Sequence, residues 1–492
     1  MTSSGTNSAA DPHRPAAGSL SPAWELLLPA AAAPVRGRGR ALRSALRDAV
    51  RSGRLAGGTR LPSSRELAAD LGVSRGLVTE AYEQLTAESY LRSGRGAGTW
   101  VSEGVRAAER PVRDRAPGAA GTAGARVDFR PGTPDLSLFP RGAWAAAQRT
   151  VFGRLPHGAL GYPDPRGLPE LREALAGLLA RRRGVVADPE RLVVCSGVAQ
   201  ATTLLGFVLR DEGVVSVGVE DPGSPEHSSL FAATGLGTVP LPLDDEGLAL
   251  APLERSGVRA VVTTPAHQFP TGIGYSARRR GELLGWARDA DAVIMEDDYD
   301  GDFRYDRAPV GALQGLDPER VVYTGSVSKS LAPGLRLGWL IAPAALTERI
   351  VARKRTMDLG NPVLDQAVLA DFIVRGGYDR QLRRCQRAYR ERRDAMVAAL
   401  GEHFPGTAVS GIAAGLHIIA RLPARYGSED VLLERAAGAG IALRPLRDCG
   451  TAGSEDGTLP LVLGYAHLPP SDIARGIAAL AEAWRTGRTH SG

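Results

Sequence analysis

Lysine is almost absent from this chain. Of 60 basic residues only Lys329 and Lys354 are lysine, so arginine fills nearly every place where a fixed positive charge is enough. Cysteine is scarce too: Cys195, Cys385 and Cys449 are odd in number and far apart. That excludes a disulfide framework, and with no CxxC and no Cys/His cluster it excludes a zinc site. No apolar run is long enough to span a bilayer, since WELLLPAAAAPV is short and broken by proline. The N-terminus lacks a basic stretch followed by an apolar one, so neither export nor a membrane is expected, and the reading is a reduced, cytoplasmic protein.

What is present is a chain of 492 residues, 43% hydrophobic and 23% charged, long enough for two or three domains and a large buried core. A net charge of +6 permits a polyanionic partner without demanding one. Residues 1–34 are polar, Ala- and Pro-rich and read as a disordered tail.

Over 35–102 the pattern is helical, then extended. Leu42, Ala45, Leu46, Ala49 and Val50 recur at helical spacing and Gly53 stops them. Ser63 and Glu66 stand three apart as a capping box for a second helix with Leu67, Ala68 and Leu71 on its buried face, closed by Gly72. After the turn GVS, Ser74 can cap a third helix bearing Val78, Ala81, Tyr82 and Leu85. Two helices across a three-residue turn predict a helix-turn-helix, and YLRSGRGAGTWV predicts a two-stranded wing. A helical hairpin with a solvated basic face is the plainer alternative. The run GRLAGGTRLPSSRELAADLGVSRGLVTEAYEQL resembles the winged DNA-binding domain of GntR-type bacterial regulators. That resemblance implies DNA contacts at Arg65, Ser74, Arg75, Thr79, Arg95 and Gly96. Residues 103–126 mix Pro, Gly, Ala and Arg without periodicity and read as a flexible linker.

From 127 to 488 apolar runs such as RLVVCSG, VVSVGVEDPG, DAVIMEDDYD and RVVYTGSVSK alternate with helical stretches, which predicts a mainly parallel sheet flanked by helices. Ligands of such sheets gather at the carboxyl ends of the strands. There Lys329 is the residue arginine cannot replace, because only an amine can lose its proton and attack a carbonyl carbon. Asp297 and Tyr299 end one strand, where a carboxylate can keep a pyridine nitrogen protonated. Ser326, Ser328 and Arg336 surround the lysine, and Gly197, Val198 and Ala199 open a helix whose free amides can bind an anion. One amine, one carboxylate and two phosphate-binding turns are the parts of a site for pyridoxal 5′-phosphate (PLP).

The segments GYPDPRGLPELREAL, VEDPG, TPAHQFPTG, EDDYDGDFRY and GSVSKSLAPGLRLGW resemble fold type I aminotransferases. The resemblance implies a PLP-dependent transferase fold with a small α+β subdomain, Lys329 as the Schiff-base lysine, Asp297 at the ring nitrogen and Tyr299 at the phenolic oxygen. It places Ser326, Ser328 and Arg336 on the phosphate, and Tyr162 on the phosphate of a partner subunit, which implies a homodimer. A GntR-type domain joined to such a domain resembles the MocR regulators, which implies double-stranded DNA, PLP and an amine or amino-acid effector as partners. Control of vitamin B6 synthesis or of amine metabolism is the implied task.

Three positions depart from the enzyme pattern. Phe269 replaces the asparagine that bonds the ring oxygen, leaving His267 or Gln268 as substitutes. Ser224 replaces a ring-stacking tyrosine, and Val462 stands near the carboxylate-binding arginine, with Arg444 as a fallback. The cofactor cradle is kept while substrate handling is weakened, so a sensor is expected rather than a catalyst. The alternative is an active aminotransferase with a DNA-binding appendage.

Overall fold

The computed structural model describes residues 32–94, 98–103, 126–305, 310–411, 413–450 and 457–486. Most of the expected tail and most of the expected linker lie outside them. The chain divides into two compact units, Met1–Ala120 and Gly121–Gly492.

In the first unit α1 (Arg38–Arg51), α2 (Ser64–Leu71) and α3 (Arg75–Ala87) pack through Leu42, Leu46, Leu67, Val78 and Leu85. Full burial of each such side chain stabilises by roughly 1.5–3 kcal/mol. The capping box forms: Ser63 Oγ accepts from the Glu66 amide at 3.2 Å, and the Ser63 amide donates to Glu66 at 2.8 Å. Gly72 closes α2 at φ 62°, a left-handed conformation that favours glycine. Ser74 caps α3 by accepting from the Leu77 amide at 3.3 Å. The wing is antiparallel, with β1 (Arg60–Leu61) and β2 (Leu91–Gly94) on either side of β3 (Gly98–Val101).

The second unit is built on an eight-stranded sheet. Its strands in chain order are β5 (Leu192–Cys195), β6 (Ser216–Asp221), β7 (Gly237–Asp244), β8 (Gly247–Leu248), β9 (Ala260–Thr263), β10 (Val293–Asp297), β11 (Val321–Ser326) and β12 (Gly338–Ile341). In space the order is β5-β12-β11-β10-β9-β6-β7-β8. The central strands pair in parallel, and β9, β11 and β12 are buried almost throughout, which is why they read as unbroken apolar runs. Two strands run against them: β8, antiparallel to β7, and β12, antiparallel to both β11 and β5, which returns along the sheet directly after the Lys329 turn.

Helices cover the sheet, among them α4 (Arg141–Phe152), α5 (Pro169–Arg183), α6 (Val198–Asp211), α7 (Pro225–Ala233), α8 (Leu250–Ser256), α9 (Ala277–Asp289), α10 (Ala344–Asp358) and α11 (Val363–Val374). The 27-residue α12 (Gly377–His403) then leads to a small α+β part. There β13 (Ala408–Ser410), β14 (His417–Leu422) and β16 (Leu459–Gly464) form an antiparallel sheet beside α13 (Glu429–Gly438) and α14 (Pro470–Thr486). The short β4 (Val127–Asp128) pairs in parallel with β15 (Ile441–Ala442). Among the described residues no helix is long and apolar enough to cross a membrane.

Candidate cofactor site and DNA-binding surface

Because β6, β9, β10 and β11 run the same way, the residues just after them meet at one edge of the sheet. Asp297 is the last residue of β10 and is buried. Its Oδ2 accepts from His227 Nε2 at 3.0 Å, while its Oδ1, also buried, has no partner. Burial alone would push the His227 pKa down, but the bonded and charged Asp297 carboxylate raises it, with Glu220 and Glu226 adding to the pull. A buried carboxylate oxygen without a donor costs about 1–3 kcal/mol or more, so this arrangement awaits an N–H.

Lys329 follows β11, and its Nζ donates to the Gly132 carbonyl. Burial pushes its amine below the usual lysine range, against the charges of Asp297, Asp300 and Glu226. That is the direction an attacking amine needs. Tyr299 lies on the same wall, its hydroxyl 3.1 Å from His267 Nδ1, which is also 2.8 Å from Asp300 Oδ2. A cavity of about 370 Å³ opens over these groups, lined by Ser224, Glu226, His227, Phe269, Lys329 and Arg444 together with Asp297 and Tyr299. Such a volume suits a ligand of PLP's size.

The residues expected at a phosphate lie on two turns, outside the lining of this cavity. Gly197 stands at φ 96° before α6, and a Cβ there would meet the Arg336 guanidinium at 3.3 Å. Arg336 in turn donates to the Ser196 carbonyl. The amides of Val198 and Ala199, in the first turn of α6, have no intrahelical acceptor by geometry. On the other side the Ser328 amide donates to Ser326 Oγ at 3.4 Å. The donor set therefore fits PLP: a carboxylate oxygen without a partner at Asp297, an amine at Lys329, and a guanidinium beside a helix N-terminus.

Of the other expected positions, Gln268 sits elsewhere than expected. Gln268 is not in the cavity: its Nε2 donates to Glu220, Pro222 and Phe269, and its Oε1 accepts from Thr271. A glutamine with both ends spent has nothing to offer a ring oxygen, and His267, the other expected substitute, is also outside the cavity lining, with Nδ1 on Tyr299 and Asp300. Val462 is fully buried against Ile419, Leu446 and Cys449, whereas Arg444 lines the cavity, so the fallback position is the one that faces a ligand. Ser224 also lines the cavity, but its hydroxyl is spent on Glu226 at 2.8 Å and offers no stacking face. Tyr162 is 91% exposed and absent from this chain's own cavity.

His227 went unnoticed in the sequence because its partner is 70 residues away. Its place two residues past the Pro225 start of α7 is the only local hint.

In the first unit an open groove between the wing and α3 is lined by Arg75, Thr79, Ser93 and Gly94, and both Arg65 and Arg75 are exposed. Ser74 uses its oxygen as a helix cap but keeps a hydroxyl proton to donate. Arg95 and Gly96 lie outside the described residues.

Residues 39–101 match the bacterial regulatory proteins of the gntR family, and residues 132–479 match aminotransferase class I and II. The chain is 35% identical to the probable rhizopine catabolism regulatory protein MocR of Rhizobium meliloti, over 90% of this chain and 93% of that one. This chain belongs to the MocR family of GntR-type regulators. It is also 31% identical to the pyridoxine biosynthesis transcriptional regulator PdxR of Corynebacterium glutamicum, over 90% of this chain and 95% of the relative. Among solved structures, the kynurenine aminotransferase of Pyrococcus horikoshii superposes with a TM-score of 0.65 at 28% identity, covering 73% of this chain and 91% of that one. In this chain a gntR-type domain and an aminotransferase-like domain of the PLP-enzyme fold share one polypeptide.

Proposed function

We propose that this chain is a transcriptional regulator whose aminotransferase-like unit takes up PLP, alone or joined to an amine or amino acid, and thereby changes how the winged units engage DNA. One observation carries the reading: Asp297, whose buried Oδ1 has no partner, lines the same cavity as Lys329 in a chain that also bears an exposed helix-turn-helix. PLP supplies an aldehyde that condenses with amines and a ring that withdraws electrons. Lys329 would bond that aldehyde, Asp297 would hold a proton at the ring nitrogen with His227 behind it, and Tyr299 would donate to the phenolic oxygen. Ser326, Ser328, Arg336 and the amides of Val198 and Ala199 would hold the phosphate. Arg444 and Glu226, at the cavity wall, would meet the effector's carboxylate and ammonium.

Sensing is favoured over turnover because Phe269 stands where the enzymes keep an asparagine, which would leave the ring oxygen to Tyr299 alone. A homodimer is proposed from the exposed Tyr162 and its apolar neighbours Phe152 and Leu160. The task nearest the relatives is control of vitamin B6 supply, and the place of action is the cytoplasm, where the promoter DNA is. A ligand shifts such a switch only by its unequal affinity for two states. The test is footprinting of the chain on DNA flanking its own gene, with and without PLP and candidate amines. Protection that changes with PLP supports the reading. Unchanged protection, or many turnovers of an amino donor with a keto acid, contradicts it.

A further inference from the structure

Lys354, the second lysine of the chain, sits on α10 with no solvent exposure at all. Its Nζ donates to Asn361 Oδ1 at 2.6 Å, to Asp358 Oδ2 at 2.7 Å and to Gln200 Oε1 at 3.5 Å. Three oxygens around one nitrogen match the three protons of an ammonium. A planar guanidinium, longer and forked, cannot present three donors from one point. Here, too, arginine cannot replace lysine, but for geometric reasons rather than chemical ones.

From those oxygens the bonds run to one residue. Gln200 Oε1 also accepts from the Ser196 amide at 2.7 Å, and Asn361 Nδ2 donates to Ser196 Oγ at 2.8 Å. Asp358 braces the set, accepting from Gln200 Nε2 at 2.7 Å and from the Gly360 amide at 2.9 Å. Although burial works against it, the bonds from Lys354, Gly360 and Gln200 hold the Asp358 carboxyl below the usual range. Ser196 then offers its carbonyl to Arg336 and leads through Gly197 into the first turn of α6. Both arms of the phosphate end, Arg336 and the α6 amides, thus hang from Ser196. Ser196 hangs from Lys354.

We infer that Lys354 is a positioning residue for phosphate capture: its buried ammonium fixes Ser196 through Gln200 and Asn361, and so aims Arg336 and the α6 amides at a phosphate ester. The inference rests on PLP being the ligand. The bonds of Lys354 lead to Ser196 and not to Lys329, so its effect would run through the phosphate arms and spare the aldehyde.

The experiment compares PLP with pyridoxal, the same aldehyde without its phosphate, by absorbance titration of the full chain. Wild type is set beside Lys354→Met, Lys354→Arg and Asn361→Leu. The last keeps the Lys354–Asp358 ion pair, so it remains informative if losing a buried charge unfolds the Met variant. The expected result is that PLP affinity falls about tenfold or more in each folded variant, the scale of losing a charge-assisted hydrogen bond, while pyridoxal affinity stays within about twofold. Variants that bind PLP like wild type, or that lose PLP and pyridoxal equally, overturn the positioning role alone. A wild type that takes up neither aldehyde overturns the ligand reading beneath it.

Discussion

Both lysines of an arginine-rich chain have a reason to be lysine, Lys329 because an amine can be deprotonated and Lys354 because an ammonium is compact. Burial also sets His417, on β14 at the small-domain wall of the cavity, where burial, His267 and Lys329 push its pKa down to about 3. Its Nε2 lies 3.0 Å from the Pro270 carbonyl, a bond that favours the charged form, but burial outweighs it and the ring is neutral. In the unfolded chain this imidazole takes a proton near pH 6.5, but in the folded chain only near 3. Between those values the unfolded state binds more protons, so stability rises with pH and is lost as pH falls. Acidification from pH 7 to 5 should cost about 2 kcal/mol through this group. Urea unfolding at the two pH values should show a shallower loss in His417→Gln than in wild type; equal losses would remove His417 from that role.

At the scale of elements, the first unit was legible because its signals are local. Ser63, Glu66, Gly72 and Ser74 punctuate helices within a few residues of themselves, and the structure uses each as a cap or stop. The Lys329 turn and the Asp297 strand end were legible for the same reason. Illegible were the pairings that close over long separations: His227 on Asp297, Gln268 turned into the Glu220 network, and Gln200 meeting Lys354 across 154 residues. Hydrophobic periodicity places a residue on a face but not against a polar partner. The antiparallel β12 was hidden likewise, since GWLI looks the same in either direction. For the recognition helix α3, Arg75→Ala should weaken operator binding by about 1–3 kcal/mol if the side chain reads a base, and flatten the salt dependence if it holds a phosphate. Binding isotherms across a salt series distinguish these, and unchanged affinity throughout would mean that the start of α3 is not the reading edge.

For the molecule as a whole, a positive net charge of +6 and an exposed groove bearing Arg75 suit a polyanion, while the second unit offers a cavity whose charges suit a phosphorylated aldehyde. The gntR and aminotransferase matches join the two in one chain. On the proposed function, coupling would depend on the Lys329 bond, since an effector amine would take the aldehyde by displacing that lysine. The most direct measurement is therefore a peptide map of the full chain after incubation with PLP and reduction by borohydride. The account predicts one phosphopyridoxyl adduct, on the peptide containing Lys329. An adduct confined to Lys354 or the N-terminal amine, or no adduct anywhere, would contradict it.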